Sequence, residues 1–318
     1  MLKYYQEYKE YRRDDKDFNS SALAEFGMNR DAVNRDDDLD ITELSAEDIG
    51  NMLSGYAYYH ILRIRQGLIE YSNWLETKKG VDVSGFIINL KDVFLYREKY
   101  IDFSKTYFES MEQMFAVFND TVKKNHEQRT EGMNRTKRAD TAFQRNIPRL
   151  RICLYLVWEG FTTDEIMQIT PHDVILGNNT VRVGGCDLTY DDIMKDDFAL
   201  AVESAEEQRN KALRSGHNVL YNLMQTSNQQ YLLNWKLVYI YNRDPKTRNC
   251  TSYDNRFTIR HIQKAAIFSA LREYEMQNGK ILISKDIPKG VSDIIERYRD
   301  IEDATAMQII SEYNIVNR

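Results

Sequence analysis

The chain has little proline, glycine and cysteine, and each shortage narrows the structures it can form. Its 318 residues include 4 Pro, 14 Gly and 3 Cys. The scarcity of Pro and Gly, together with long polar–apolar alternation of helical period, predicts a mainly α fold. Cys153, Cys186 and Cys250 are scattered without metal-ligand spacing and cannot all pair. Their pattern fits a reducing cytoplasm.

The chain also lacks the segments and motifs that mark several common protein classes. It has no uninterrupted apolar run of about 18 residues, and its first residues lack the apolar stretch of a signal peptide, so we expect no membrane segment. It contains neither a Gly-x-x-x-x-Gly-Lys-Ser/Thr loop nor a Gly-x-Ser-x-Gly motif. The 5 histidines have no His or Cys partners at ligand spacing. The sequence therefore predicts neither a metal site nor a cofactor.

A length of 318 residues predicts about two domains. The first, residues 1–84, is predicted to be helical, with a long helix at Tyr56–Thr77 and a helix end at Lys78-Lys79-Gly80. A linker is predicted at Lys78–Gly85, so the second domain would cover residues 85–318. Other helices are predicted at Ala22–Phe26, Phe86–Tyr100, Ser104–Thr121, residues 196–240 (with a buried run at Tyr231–Tyr239) and Thr258–Gln277.

The most informative stretch begins with Arg151–Trp158, an apolar helix that stops at Gly160. Thr162-x-x-Glu165 then predicts a capping box, in which the hydroxyl accepts a free helix N–H and the carboxylate reaches back. Ser45-Ala46-Glu47-Asp48 has nearly the same form in the first domain. Downstream, Thr180–Val183 predicts a short strand, and Gly184-Gly185 predicts the hairpin turn that follows it. Phe257-Thr258-Ile259-Arg260-His261 comes later in the chain, at the start of a predicted helix.

This order of elements resembles the tyrosine recombinase (phage integrase) family. Members of that family carry an apolar helix, a Gly-x-Arg-x-x-Glu helix start, a β-hairpin bearing a Lys, and a His-x-x-Arg motif. Tyr71-Ser72-Asn73-Trp74-Leu75 resembles the end of the helical core-binding domain of integrases. The resemblance implies a mainly α fold with a small β-hairpin or sheet, arranged as a core-binding domain followed by a catalytic-like domain. It also implies double-stranded DNA as the partner.

The chain departs from the family at the positions that carry its chemistry. Thr162 stands in place of the first catalytic Arg, and Phe257 in place of the His. No Lys occurs at Gly184-Gly185-Cys186-Asp187, where the hairpin Lys would fall. Cleavage at a phosphate needs cationic groups on the developing charge and an acid for the leaving oxygen. Only Arg260 remains of that set, so we expect no catalytic residues and no enzyme.

The nucleophile position is open to more than one alignment. Matching Arg297-Tyr298-Arg299-Asp300 to the family's Leu-Gly-His, and Thr305 to its downstream Thr, places Ile309 where the Tyr belongs. A shifted register makes Tyr298 or Tyr313 the candidate. With 21 tyrosines in the chain, a Tyr near either place is expected by chance. The expected inactivity does not depend on this choice, because Thr162 and Phe257 already remove two essential groups.

The formal net charge of −6 is unusual for a DNA-binding protein, but the charges are unevenly distributed. Residues 31–48 are densely acidic, whereas residues 123–151 and 243–264 are rich in Lys and Arg. Local patches, more than net charge, set the affinity for phosphate. The alternative is that these runs are solvated faces, and that Arg260 is a surface residue or pairs with a nearby acid. Candidate DNA-binding residues are Lys78, Lys79, Lys137, Arg138, Arg145, Arg149, Arg256, Arg260 and Lys264.

Three classes of function follow from these patterns. The first is a sequence-specific DNA-binding repressor, similar to the recombinase-like proteins that hold certain temperate phages in lysogeny, with a small phage protein as a possible antagonist. The second is an active, divergent site-specific recombinase. The third is a protein-interaction module, which the acidic charge favours. The sequence leaves the operator and the oligomeric state open.

Tyr4, Tyr8 and Tyr11 recur at helical spacing and predict a packing stripe more readily than a base-stacking platform.

Overall fold

The structure is a computed structural model that describes residues 2–13, 20–28, 39–56, 58–103, 106–130, 137–216, 221–225, 255–283, 286–298 and 305–317. In these ranges helices predominate, with one three-stranded antiparallel sheet, which confirms the expected mainly α fold with a small sheet. The chain divides into two compact units. Unit 1 comprises Met1–Tyr107 and Glu312–Arg318, and unit 2 comprises Phe108–Ser311.

The regular elements of unit 1, in its described part, are helices, and Leu2 and Leu39 form an isolated parallel β-bridge. A π-helical turn, Leu75–Lys79, directly follows its longest helix, and a 3₁₀ turn, Ile41–Glu43, precedes the third. Its helices are α1 (Tyr5–Tyr11), α2 (Ser20–Met28), α3 (Ala46–Leu53), α4 (Tyr58–Trp74), α5 (Ser84–Leu95) and α6 (Arg97–Tyr100).

The core of unit 1 forms around one face of α4. The apolar positions of that helix are buried as its spacing predicts, namely Ile61, Ile64, Leu68, Tyr71 and, in the π turn, Leu75. Tyr8 of α1 packs on the same face, with its ring centroid 5.1 Å from that of Tyr71 and 5.3 Å from that of Trp74. Tyr8 is therefore a packing residue, as predicted, whereas Tyr11, one turn later, is exposed.

The helix ends of unit 1 follow local chemistry closely. Ser45 caps α3 through a full capping box: its Oγ accepts from Asp48 N at 3.1 Å, and the Asp48 carboxylate accepts from Ser45 N at 3.0 Å. After the π turn that follows α4, Gly80 adopts a left-handed conformation with φ +65°. Both features confirm the sequence predictions, because each depends on contacts within a few residues.

Unit 2 contains a sheet as well as helices. Its elements are α7 (Met111–Thr130), α8 (Lys137–Trp158), α9 (Thr163–Gln168), β1 (Val174–Ile175), β2 (Thr180–Val183), β3 (Cys186–Thr189), α10 (Lys195–Ser215), α11 (Ile259–Asn278), α12 (Lys289–Glu296) and α13 (Ala306–Asn317), whose last residues, from Glu312, belong to unit 1. The strand order is β1-β2-β3, with both pairs antiparallel.

Helix α8 is the centre of unit 2. Its residues from Leu150 to Trp158 are buried except for the half-buried Arg151, and α7, α9, α10 and α11 all pack against it. A helix that is apolar on all sides belongs in the interior, as the unbroken apolar run predicts. The predicted stop is also confirmed, because α8 ends at Trp158 and Gly160 takes a positive φ of +93°.

Several boundaries differ from those that the sequence favoured. The domain division expected between residues 84 and 85 lies at Tyr107/Phe108, because α5 packs on α3 within unit 1. The helix expected from Ser104 begins at Met111, where Ser110 Oγ accepts a hydrogen bond from Gln113 N at 3.2 Å as an N-cap does. The helix expected at Phe86–Tyr100 is interrupted at Tyr96. The predicted buried run Tyr231–Tyr239 lies outside the described residues.

Gly160 provides a test of the turn that ends α8. Its φ is +93°, and a Cβ there would lie 3.1 Å from the Arg297 carbonyl oxygen. We expect Gly160→Ala to lower the free energy of unfolding by about 1–3 kcal/mol, because an L side chain is strained in this conformation. Gly177→Ala is the matched control, since a Cβ at Gly177 meets nothing within 4 Å. Urea unfolding should show a change of no more than about 0.5 kcal/mol for the control. Equal stabilities of the two variants would contradict the assignment of strain to this turn.

Candidate functional site

The residues that the family resemblance assigns to a recombination site lie in unit 2, except the nucleophile candidate Tyr313, which is in the part of α13 that belongs to unit 1. Those of unit 2 belong to the N-terminus of α9, the β2–β3 hairpin, the start of α11, the residues after α12 and the first half of α13. Gly160 brings two of these together, because it precedes α9 in the chain and packs against Arg297 and Tyr298 after α12. Arg297 Nη2 also forms an ion pair with Glu159 Oε2 at 2.7 Å. The end of α8 is therefore joined to the segment that contains Tyr298, one of the nucleophile candidates.

Thr162 and Glu165 form the predicted capping box at the start of α9. The Glu165 Oε2 atom accepts hydrogen bonds from both Thr162 N and Thr162 Oγ1 at 2.9 Å, and Thr162 Oγ1 accepts from Glu165 N at 3.3 Å. Thr162 is thus occupied in closing the helix end. A hydroxyl in this role cannot supply the positive charge that a catalytic Arg places on a phosphate.

The β2–β3 hairpin lies directly against this cap. Gly184 and Gly185 connect paired residues Val183 and Cys186 and have φ values of +57° and +79°, as a two-residue type I′ turn requires. A Cβ at Gly184 would lie 2.5 Å from Glu165 Oε1. Any side chain at this position would therefore require the Glu165 carboxylate to move. Its one cation, Arg182, pairs across the strands with Asp187 Oδ1 at 3.0 Å.

Phe257, at the position of the family's His, is a core residue. It lies in the 3₁₀ turn Asn255–Phe257 before α11 and is buried. Its ring centroid is 4.8 Å from that of Phe108, in an edge-on arrangement, and 6.4 Å from that of Phe118. The position therefore stabilises unit 2 by aromatic packing and has no group that can transfer a proton.

All three candidates for the nucleophile position are buried. Tyr298 is 7% exposed, and burial raises the pKa of its hydroxyl to about 12. Ile309 and Tyr313, both on α13, are also buried. An attacking Tyr needs an accessible hydroxyl whose pKa is lowered, and Tyr298 has the opposite shift. Whichever alignment is correct, no accessible hydroxyl stands at the corresponding position.

The candidate DNA-binding residues fall into different environments. Arg260 is exposed, as are Lys78 and Lys79 at the end of the π turn. Arg256 is half-buried, with its guanidinium carbon 4.8 Å from the ring centroid of Phe108. Helix α8 includes the backbone of three others, whose side chains lie outside the described part of the structure: Lys137, Arg138 and Arg145.

Two of the proposed phosphate ligands are internal and have to be removed from the surface set. Arg149 is 4% exposed and donates to Ser204 Oγ at 2.7 Å, so it joins α8 to α10. Lys264 is 6% exposed. Lys264 follows Arg260 by four residues on α11, yet it is turned inward, where Ala265, Ile267 and Phe268 are buried too. Spacing within one helix shows which residues share a face and leaves open which face is covered.

Arg260 occupies a distinctive electrostatic position. It is the second residue of α11, just after Thr258, whose Oγ1 caps the helix by accepting from His261 N at 3.3 Å. The first turn of α11 contains no acidic residue. Among the described residues, no carboxylate lies within ion-pair distance of Arg260, so the alternative of an ion pair with a nearby acid finds no support there. The guanidinium thus adds its charge to the positive end of a helix dipole.

Arg151, the last residue of the basic stretch 123–151, makes contacts inside unit 2. Its Nε bonds Asp197 Oδ2 at 2.7 Å, its Nη1 bonds Asn119 Oδ1 at 2.6 Å, and its guanidinium carbon lies 4.7 Å from the Phe115 ring centroid. It therefore connects α8 with α10 and α7. Burial raises the pKa of Asp197, and the Arg151 hydrogen bond opposes that rise. The signal in the sequence was the placement of Arg151 at the head of an apolar run.

Comparison with known proteins adds no identification. No family model matches the chain, and neither a curated protein nor a solved structure matches it significantly. Among the described residues no helix is long and apolar enough to cross a membrane, and no group of three or more His, Cys, Asp or Glu residues is placed to hold a metal ion. The resemblance therefore rests on the residues named above.

The geometry of this region generates a test of inactivity. We expect the purified protein to form no covalent adduct with a nicked suicide duplex, because Thr162 is engaged in the cap, Phe257 has no group that transfers a proton and Tyr298 is buried. Denaturing gel electrophoresis detects such an adduct. Tyr298→Phe and Tyr313→Phe should bind DNA as the wild type does, each serving as the control for the other. An adduct that disappears in one folded variant alone would show that chemistry is retained.

Proposed function

We propose that this chain is a sequence-specific DNA-binding repressor built on a tyrosine-recombinase architecture without the recombinase chemistry. The order of elements in unit 2 supports this: a buried helix, a capped short helix, a hairpin and a later helix that carries Arg260. The resemblance would make it a regulator that maintains lysogeny of a temperate phage in the cytoplasm of a bacterial host. A small phage protein is the proposed antagonist.

The observation that carries the proposal is the exposed Arg260 at the positive end of α11. A cation at a helix N-terminus is unfavourable by some tenths of a kcal/mol, roughly the reverse of the stabilisation it would give at the C-terminus. No acid of the described residues offsets this charge. A phosphate group bound there would interact with both the guanidinium and the helix dipole. The arrangement is thus suited to an external anion, and DNA supplies such anions in a regular row.

The contacts made at the positions of the recombinase residues favour regulation over recombination. Thr162, Phe257 and Tyr298 each take part in folding contacts that leave them unsuited to strand transfer. A duplex could still be held through its backbone, since contacts to phosphate give affinity and register without chemistry. In the proposed function the two units engage the same duplex, and the tether between them raises the effective concentration of the second unit.

A protein-interaction module is the second candidate, and two observations favour it. The net charge is −6, and three apolar side chains near the end of α11 are strongly exposed: Met276, Ile281 and Ile283. Exposed apolar groups that lie close together mark protein contacts more often than nucleic-acid contacts. A gel shift with the DNA around the protein's own gene, against an unrelated duplex of equal length, separates the two. Preferential binding to the first duplex supports the repressor.

Removal of Arg260 tests the proposed phosphate contact. We expect Arg260→Ala to weaken binding to operator and unrelated DNA alike, and to lower the slope of log K against log salt by about one unit. The measurement is Kd at several salt concentrations, with circular dichroism to confirm folding.

Arg214→Ala is the matched control for this experiment. Arg214 is also an exposed Arg of unit 2, and its replacement by Ala also removes one positive charge. It lies in the last turn of α10, where the helix dipole favours a cation. Its slope should stay close to that of the wild type. If the two variants behave alike, net charge alone is responsible and Arg260 has no special contact.

A further inference from the structure

A compact group of lysines and aromatic rings stands where α4 of unit 1 ends. The π turn Leu75–Lys79 places Lys78 Nζ 5.8 Å from the ring centroid of Tyr11. It places Lys79 Nζ 5.5 Å from the ring centroid of Tyr4 and 5.6 Å from that of Trp74. We call these five residues, Tyr4, Tyr11, Trp74, Lys78 and Lys79, the lysine–aromatic surface.

Three cation–ring contacts come together on this surface, one from Lys78 and two from Lys79. An ammonium within about 6 Å of a ring centroid is attracted by the electrons of the ring. A lysine whose stem and ammonium already rest on a ring has lost part of its rotamer freedom. Less ordering remains to be done when an anion binds to it. The surface therefore presents two ammonium groups in prepared positions.

The two lysines differ in their acidic neighbours. Lys79 Nζ forms an ion pair with Glu7 Oε2, and the Glu7 side chain is 55% exposed. For Lys78, by contrast, no carboxylate of the described residues lies within ion-pair distance. An ion pair with so exposed a carboxylate is weak, because water solvates the acid when it separates. An external anion can therefore displace Glu7 from Lys79, but it has to compete with it.

We propose that Lys78 and Lys79 bind the phosphate backbone of duplex DNA, and that Glu7 is a built-in competitor that limits this contact. The inference rests on the proposed function and adds a second contact, in unit 1, together with its regulation. Two of the three rings are not open to a base: Trp74 is buried, and Lys79 lies by it and by Tyr4. Tyr11 is exposed beside Lys78, but one ring is no platform on which successive bases could stack. The two ammonium groups therefore suit the backbone of a duplex better than the bases of an unstacked strand.

The test compares two acid-to-amide variants of the full chain. We expect Glu7→Gln to raise the affinity for duplex DNA about two- to fivefold, the range expected for removing an exposed ion-pair competitor. The control is Glu207→Gln, which also removes one negative charge and also frees an exposed lysine, Lys211, from a pair at 3.4 Å. Kd is measured at several salt concentrations for both, with an unrelated duplex as the probe.

A double variant assigns the effect to Lys79. In a Lys79→Gln background, Glu7→Gln should leave Kd unchanged, because the lysine for which it competes is gone. Lys78→Gln and Lys79→Gln should each lower the salt slope by about one unit. The proposal is overturned if Glu7→Gln and Glu207→Gln change Kd equally, or if Glu7→Gln acts as strongly without Lys79.

The outcome also separates this inference from the proposed function. If Arg260→Ala reduces binding and Glu7→Gln has no effect, the repressor proposal stands and the lysine–aromatic surface is only a packing feature. If the wild-type chain does not bind duplex DNA at all, both proposals fail together. Circular dichroism of Glu7→Gln confirms that α1 remains folded in either case.

Discussion

The burial of the last part of α8, Ile152–Val157, on all its sides is the constraint on which the rest of unit 2 depends. From Ile152 to Val157 the helix has no solvent face, and four other helices cover it. Burying one large aliphatic side chain contributes about 1.5–3 kcal/mol, so this one helix orders most of the unit. The segment 221–225 also packs against α8: the Met224 sulfur lies 3.5 Å from Cys153 Sγ. The neighbouring Leu223 N donates a hydrogen bond to Ile169 O at 2.7 Å.

The same burial explains why polar groups near α8 serve the fold. Arg149 and Arg151 enter the interior with this helix, and a buried guanidinium is costly unless it is hydrogen-bonded. Ser204 and Asp197 of α10 supply those bonds, so these two arginines of the basic stretch join α8 to α10 inside unit 2. Thr162 and Glu165 also serve the fold, at the start of α9. Their polar atoms hydrogen-bond to each other in the cap and are therefore not offered to a substrate.

Several charged side chains of the described residues are paired with oppositely charged neighbours. On unit 1, Lys3 pairs with Asp40, Arg12 with Glu70 and Lys79 with Glu7. The Lys3 hydrogen bond helps to lower the pKa of Asp40 against the opposing effect of its burial. The net charge of −6 therefore says little about any one surface. What matters for a phosphate partner is which cations lack such neighbours, and among the described residues Arg260 and Lys78 are two of them.

The sequence by itself determined the features that short-range chemistry controls. The Ser45 and Thr162 capping boxes, the positive φ of Gly80, Gly160 and the Gly184-Gly185 turn, and the buried face of α4 all follow from residues within one or two turns of each other. Only the tertiary structure decided that Arg149 and Lys264 are internal, that Tyr298 is covered, and that α5 belongs with unit 1. Each of these outcomes depends on which distant segment covers a given face. The local sequence around a charged residue of a helix is the same in both cases: when a distant element covers the residue and supplies a hydrogen-bond partner, and when nothing covers it and it stays in water.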